Sequence, residues 1–212
     1  MKESISLRRQ LDEILGSRAK VSVLRVLNDG RPELNGREVA RRAGLASRSA
    51  QLALASLTRI GIVQMRAVGN NHVFSVNPEF NLYKTSIQAA FAAEKAGPEA
   101  LAQDLIRHLR GEPILTLAWF GSVARGQRDA GSDMDVLIVL KDSRASEGIR
   151  KALEGQAASL REKFGFRIEL YVLGAKELAR RFDSNDLLVR NMVKDAVLLH
   201  GKPLSEVLLD AP

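Results

Sequence analysis

The sequence predicts an α+β chain built from two domains. Two patterns and one asymmetry lead there. Residues 1–80 show helical periodicity that ends in two short strands, whereas residues 98–212 alternate strand and helix patterns. The positive charge is also uneven. Residues 1–80 hold 13 Lys+Arg against 7 Asp+Glu, a net +6, while residues 81–212 hold 19 against 18, a net +1. Such an excess on one part of a chain points to a polyanion partner for that part.

Leu7, Leu11, Ile14 and Leu15 recur at helical spacing, and so do Val23, Leu24, Val26 and Leu27. Asn28-Asp29-Gly30, with Pro32 behind it, ends the second helix. A short helix over 36–43 turns inward on Val39 and Ala40. After the turn Gly44-Leu45-Ala46, Ser47 is the expected N-cap of a helix to about Ile60, with Ala50, Leu54 and Leu57 inward and Gly61 closing it. Residues 62–66 and 72–76 read as strands around Gly69-Asn70-Asn71.

Residues 81–97 read as a connecting helix, with Tyr83, Ile87, Ala90 and Phe91 at helical spacing. Gly97-Pro98 breaks it, and Pro98 suits the first turn of a new helix running to Arg110. The expected division is therefore 1–80, a connector over 81–97, and 98–212.

The second domain opens with a buried strand over 114–120 and a short helix or turn over 122–127. A strand follows over 133–140, then one amphipathic helix over 147–164 with Ile149, Ala152, Leu153, Ala157 and Leu160 inward. A third strand spans 166–173, helices span 175–182 and 186–196, and Val197-Leu198-Leu199 forms a last short strand before a turn at His200-Gly201.

The chemistry concentrates at Phe120-Gly121-Ser122 and, after ten intervening residues, at Asp133-Met134-Asp135. Side chains alternate along a strand, so Asp133 and Asp135 share a face. Like charges that close raise each other's pKa unless a cation lies between them, and a divalent metal is the usual resolution. The Gly-Ser turn offers backbone N–H groups to phosphate oxygens. Together these residues suit a metal-bound nucleoside triphosphate. Glu169, between Ile168 and Leu170, is conspicuous because a charge among apolar neighbours should be paired or bind metal. Its competing role is an ion pair with Arg167 or another arginine.

Other residues contribute less. The chain has no cysteine, which excludes disulfides and thiolate metal sites. His72, His108 and His200 lack metal-like spacing. Trp119 reads as core and Lys141 as surface. The charged stretch from Met1 carries no apolar signal core, and no apolar run is long enough to span a bilayer. The expectation is a cytoplasmic protein with no membrane partner.

Two resemblances add to this reading. "GREVARRAGLASRSAQLALASLTRIGIVQMRAVGNNHVFSVN" resembles the winged helix-turn-helix core of small bacterial repressors of the ArsR and MarR type. That resemblance covers roughly residues 15–80. It implies double-stranded DNA as a partner, with Ser47, Arg48, Ser49 and Gln51 facing the major groove and Arg66, Asn70 and Asn71 on the wing. It also implies a homodimer reading two half-sites, though a winged helix that only docks protein is the alternative.

"FGSVARGQRDAGSDMDVLIVL" resembles the signature of the DNA polymerase β-like nucleotidyltransferases, most nearly their minimal bacterial group. That resemblance covers roughly residues 98–205 and implies a small α/β domain with a mixed sheet. It implies Asp133, Asp135 and Glu169 as catalytic residues and metal ligands for magnesium or manganese. Gly121, Ser122, Arg125 and Ser132 would be nucleotide-binding. Glu169 stands where the family more often has Asp. Arg125 or Arg128 would neutralise the leaving pyrophosphate, unless it is a solvated surface arginine.

The implied reaction transfers a nucleotide, AMP from ATP being the expected case, to a protein or other acceptor. Minimal members often act with a helical partner, some as antitoxins that modify a HEPN-type toxin. A DNA-binding domain on the same chain resembles a self-regulating antitoxin. The alternative function is a transcriptional regulator whose transferase fold only senses nucleotide.

Overall fold

The computed structural model describes residues 9–29, 33–109, 113–125, 133–142 and 146–210. It divides into two units, residues 1–95 and 96–212.

In the first unit the helices are α1 (Gln10–Leu15), α2 (Arg18–Asn28), α3 (Gly36–Arg42) and α4 (Ser47–Ile60). Strands β1 (Leu34–Asn35), β2 (Val63–Val68) and β3 (Asn71–Val76) form an antiparallel sheet in the order β1-β3-β2. The helical stripes meet in one core around Val23, Leu24, Val39, Leu54, Leu57 and Ile62. Fully burying one such side chain contributes roughly 1.5–3 kcal/mol, so this core is what holds the short helices together.

Local chemistry sets the helix ends. Ser17 caps α2 by accepting from the Lys20 N–H at 3.3 Å, and Asn35 caps α3 by accepting from the Glu38 N–H at 2.9 Å. Gly61, at φ +94°, donates its N–H to the Leu57 and Thr58 carbonyls and ends α4.

Several details depart from the sequence reading. Ser47 is the first residue of α4, not its cap. The extended residue before the helix is Ala46, whose carbonyl accepts from the Ala50 N–H at 3.1 Å. Leu11 and Leu15 are exposed, and in α1 only Ile14 is buried. Gly97-Pro98 does not end the connecting helix: after a π-helical turn over Tyr83–Ile87, α5 (Gln88–His108) contains Pro98. A proline inside a helix costs about 3 kcal/mol in a missing hydrogen bond and ring clash. Here apolar contacts hold both halves: Tyr83, Ile87 and Phe91 lie in the first core, and Leu101, Leu105 and Leu109 in a core of the second unit.

The second unit is a mixed four-stranded sheet. Its strands are β4 (Ile114–Phe120), β5 (Met134–Leu140), β6 (Ile168–Gly174) and β7 (Val197–Gly201), in the order β6-β5-β4-β7. β5 pairs antiparallel with β4 and parallel with β6, while β7 pairs antiparallel with β4. The predicted single helix over 147–164 is two, α7 (Ser146–Glu154) and α8 (Ala157–Phe164), because Gly155-Gln156 forms a turn between them. Ala152, expected inward, is exposed. The remaining helices are α6 (Gly121–Ala124), α9 (Ala175–Asp183), α10 (Leu187–Asp195) and α11 (Leu204–Asp210). His200 and Gly201 belong to β7, not to a turn after it.

Apolar layers cover both faces of β5. Val136, Ile138 and Leu140 join Leu105, Leu153 and Leu160 on one face. Leu137 and Val139 join Phe120, Leu173, Leu178 and Val189 on the other. A strand buried on both faces needs a continuous apolar run, which is how residues 136–140 read. Among the described residues, no helix is long and apolar enough to cross a membrane.

Within α3, Glu38 ties down two arginines, with its carboxylate on Arg41 Nη2 at 2.6 Å and Arg42 Nε at 2.5 Å. Those bonds lower the Glu38 pKa to about 2 from 4.5. A carboxylate depressed on folding stabilises above its unfolded pKa and loses that contribution as pH falls through the folded value. The stability difference between wild type and Glu38→Gln, read from urea unfolding across an acid series, should be constant above pH 4.5 and vanish towards pH 2.

Candidate active site

The end of β5 assembles the acidic cluster. Asp135 faces Phe120 on one side and Glu169 on the other, through the registers β4–β5 and β5–β6. Asp133 stands just before β5, where its carboxylate lies 3.9 Å from an Arg167 guanidinium nitrogen. Arg167 thus reaches Asp133, and among the described residues it forms no ion pair with Glu169. The Asp135 carboxyl is pushed above its ordinary value. Burial, first, raises its pKa, and then the neighbouring charges of Glu169 and Asp133; the Arg125 cation offsets part of this.

Gly121 explains how Asp135 fits. It sits at φ +78°, and a Cβ placed there would overlap the Asp135 carboxylate. The glycine therefore leaves room for a carboxylate from the neighbouring strand. Ser122 follows within α6, half-buried. Arg125 lies just past α6, donates its N–H to the Gly121 carbonyl at 3.2 Å, and forms an ion pair with Asp195 at the end of α10. Ser132 and Arg128 lie outside the described residues.

The donor set is oxygen only, which suits a hard divalent cation. Among the described residues, no three acidic or histidine side chains form a ready-made metal cage. Magnesium seldom needs one, because it is usually held by one or two carboxylates with water and substrate phosphates completing the shell. The like-charge crowding at Asp135 is what such a cation would relieve.

Two residues at this site escaped the sequence reading. Tyr171 lies two positions after Glu169 on the same face of β6, and its ring meets Phe120 edge-on at 5.3 Å. Burial and the charges of Glu169 and Asp135 raise its pKa, so it stays a neutral phenol. The i, i+2 spacing from Glu169 was the available signal. Asp195 carries no sequence signal, because only the fold brings it to Arg125.

The other predicted site residues lie in the first unit. Ser47, Arg48, Ser49 and Gln51 are exposed on the first turns of α4. Asn70 lies in the β2–β3 turn and lines a groove with Gln51, Arg37, Leu54, Met65 and Phe74. Arg66 is tied to Glu33 by an ion pair. Arg48 forms no ion pair among the described residues.

The comparisons with known proteins bear on the second unit. Residues 103–199 match the family described as nucleotidyltransferase domain. The chain carries a nucleotidyltransferase domain. No curated protein matches the chain at a significant level. Among solved structures, it is similar to a toxin–antitoxin crystallised with AMP-PNP, at 17% identity over 53% of this chain and 82% of that one, with a TM-score of 0.36. A mutant of the MntA–HpeT toxin–antitoxin gives 16% identity, 51% and 80% coverage, and a TM-score of 0.33. PigF with SAH gives 14% identity, 82% and 64% coverage, and a TM-score of 0.27. Overlays this loose carry no argument about the site.

The nucleotidyltransferase domain depends on Gly121 for room at Asp135. Gly121→Ala combines a Cβ clash with a positive φ, and should destabilise the chain by more than about 1 kcal/mol. Urea unfolding checks this, and Asp135→Ala in the same chain should recover part of the loss by removing the clashing carboxylate.

Proposed function

We propose that the chain is a metal-dependent nucleotidyltransferase that moves a nucleotide, AMP from ATP, to a protein or other acceptor. The observation that carries this reading is the placement of Asp135 between Gly121 and Glu169 within a nucleotidyltransferase domain. Asp133 and Asp135 would hold the magnesium or manganese ion that carries the triphosphate, joined by Glu169 at a second ion. Such ions, when bound, neutralise phosphate charge and lower the pKa of an attacking hydroxyl. The acceptor oxygen forms a bond to the α-phosphorus, the bond from that phosphorus to the β-phosphate oxygen breaks, and pyrophosphate leaves. Ser122 and Arg125 meet the phosphates as hydrogen-bond donor and cation.

We assign Asp133 and Asp135 to binding and Glu169 to chemistry. Asp133→Asn/Asp135→Asn should weaken magnesium-dependent ATP binding in titration calorimetry without loss of fold. Glu169→Gln should retain most of that binding while transfer falls by at least about 100-fold, the low end for losing an activating group. Equal ATP affinity in the double variant, or wild-type transfer by Glu169→Gln, would sink these roles. Incubation with each labelled nucleoside triphosphate identifies the base, and the labelled species identifies the acceptor, a helical HEPN-type partner being the expected one.

We read the first unit as a winged helix, on the chain order α1, α2, β1, α3, α4 and the β2–β3 hairpin. We propose that it binds double-stranded DNA as a homodimer, with α4 in the major groove and the β2–β3 turn as the wing. Arg48 is exposed on the first turn of α4 and has no ion-pair partner among the described residues. Arg48→Ala should weaken a specific site by about 1–3 kcal/mol if it reads a guanine. Gel-shift titrations of the full chain across a salt series check this. Wild-type binding should fall steeply with salt, as counterion release requires. Nucleotide transfer should be unchanged in the same variant.

A further inference from the structure

The sequence offers no role for Asp195, yet the fold places it against the nucleotide-binding turn. β7 pairs with β4 so that Val197 stands opposite Trp119. Asp195 lies two residues before Val197, and Gly121 two residues after Trp119, so the end of α10 meets the start of α6. The Asp195 carboxylate, only 16% exposed, forms an ion pair with the Arg125 guanidinium, itself 44% exposed. Arg125 is therefore held by a protein carboxylate while part of its side chain still reaches solvent. Arg125 also lies close enough to Asp135 to offset part of that residue's like-charge crowding.

We propose that Asp195 is a positioning residue: it fixes the Arg125 guanidinium beside the carboxylate cluster, ready to meet the β- and γ-phosphates of the triphosphate. This rests on the nucleotidyltransferase reading of the same site. A free arginine in a loop gives up rotamer entropy when it binds phosphate, and an arginine already oriented by a carboxylate gives up less. The guanidinium is a planar fork of fixed geometry, so a carboxylate on one edge sets the orientation of the whole group. The ion pair is half-screened by solvent at Arg125, so its value lies in orientation more than in stability. Glutamate reaches one methylene farther and keeps the charge, so Asp195→Glu should keep most of the effect. Asparagine keeps the shape and loses the charge that holds the guanidinium.

The test is a double-mutant cycle in ligand affinity on the full chain. Titration calorimetry with ATP and with inorganic pyrophosphate, both with magnesium, is run on wild type, Asp195→Asn, Asp195→Glu, Arg125→Ala and Arg125→Ala/Asp195→Asn. Asp195→Asn should weaken pyrophosphate binding about tenfold, the scale of one charge-assisted hydrogen bond. Asp195→Glu should restore most of it, and the double variant should bind no more weakly than Arg125→Ala alone. In turnover the loss should fall mainly on KM for the triphosphate. Wild-type affinity in Asp195→Asn, or single losses that simply add in the double variant, would overturn the proposal. A wild-type chain that binds neither ATP nor pyrophosphate would overturn the nucleotidyltransferase reading instead. If Asp195→Asn does not fold, the same cycle with Asp195→Ser decides.

Discussion

The constraint on which the second unit turns is the crowding of negative charge at the end of β5. Asp135 is half-buried, faces Glu169 across a parallel register, and has Asp133 two residues away. Burial and like charge act in the same direction on it, and both raise its pKa above the ordinary carboxylate value. The surrounding chain accommodates this in two ways. Gly121 gives up its side chain where the carboxylate lies, and Arg125 supplies a nearby positive charge. Both come from the single turn that follows β4. The apolar sheet beneath is therefore a frame that fixes one register, because a one-residue slip of β5 would carry Asp135 to the opposite face.

Much of this frame was legible in the sequence because its signals are local. Apolar runs bounded by turn formers marked β4, β5 and β6, and the carboxylate spacing put Asp133 and Asp135 together. What escaped depends on contacts between distant segments. The reading gave Gly121 a role towards phosphate, whereas its conformation also answers to Asp135 on the next strand. An ion pair with Arg167 or another arginine was the competing role for Glu169, yet Arg167 reaches Asp133. Pro98 looked like a helix start, but packing on both sides of it outweighed a local penalty of about 3 kcal/mol. Gly155 failed in the other direction: an apolar stripe suggested one helix, and a single glycine was enough to split it.

The first unit shows why net charge alone is a blunt guide. Its excess of cations is real, but several are engaged within the unit. Glu38 holds Arg41 and Arg42, Glu33 holds Arg66, and Glu94 holds Arg25 at 2.7 Å. A cation already paired on the surface adds to the long-range field yet must break a contact to grip a phosphate. Arg37 and Arg48 form no ion pair among the described residues. They flank the groove and the first turn of α4, beside the uncharged donors Gln51 and Asn70. For a polyanion partner, the field of the whole unit would act as the steering term, while groups outside these ion pairs would set where it is held.

The same distinction applies at the acidic cluster, with the opposite sign. There the pairing of Arg125 with Asp195 does not remove the cation from use. Asp195 is nearly buried and Arg125 nearly half-exposed, so the pair is asymmetric: one partner is committed to the protein and the other still faces outward. In the Glu38 cluster the carboxylate is 27% exposed and serves two arginines at once, Arg41 at 71% exposure and Arg42 at 28%, so it is the Arg42 contact that offers little to a ligand. An ion pair thus locks a residue or presents it according to which partner keeps its solvent face. That criterion separates Arg125, held beside the carboxylates and 44% exposed, from Arg42, which is 28% exposed.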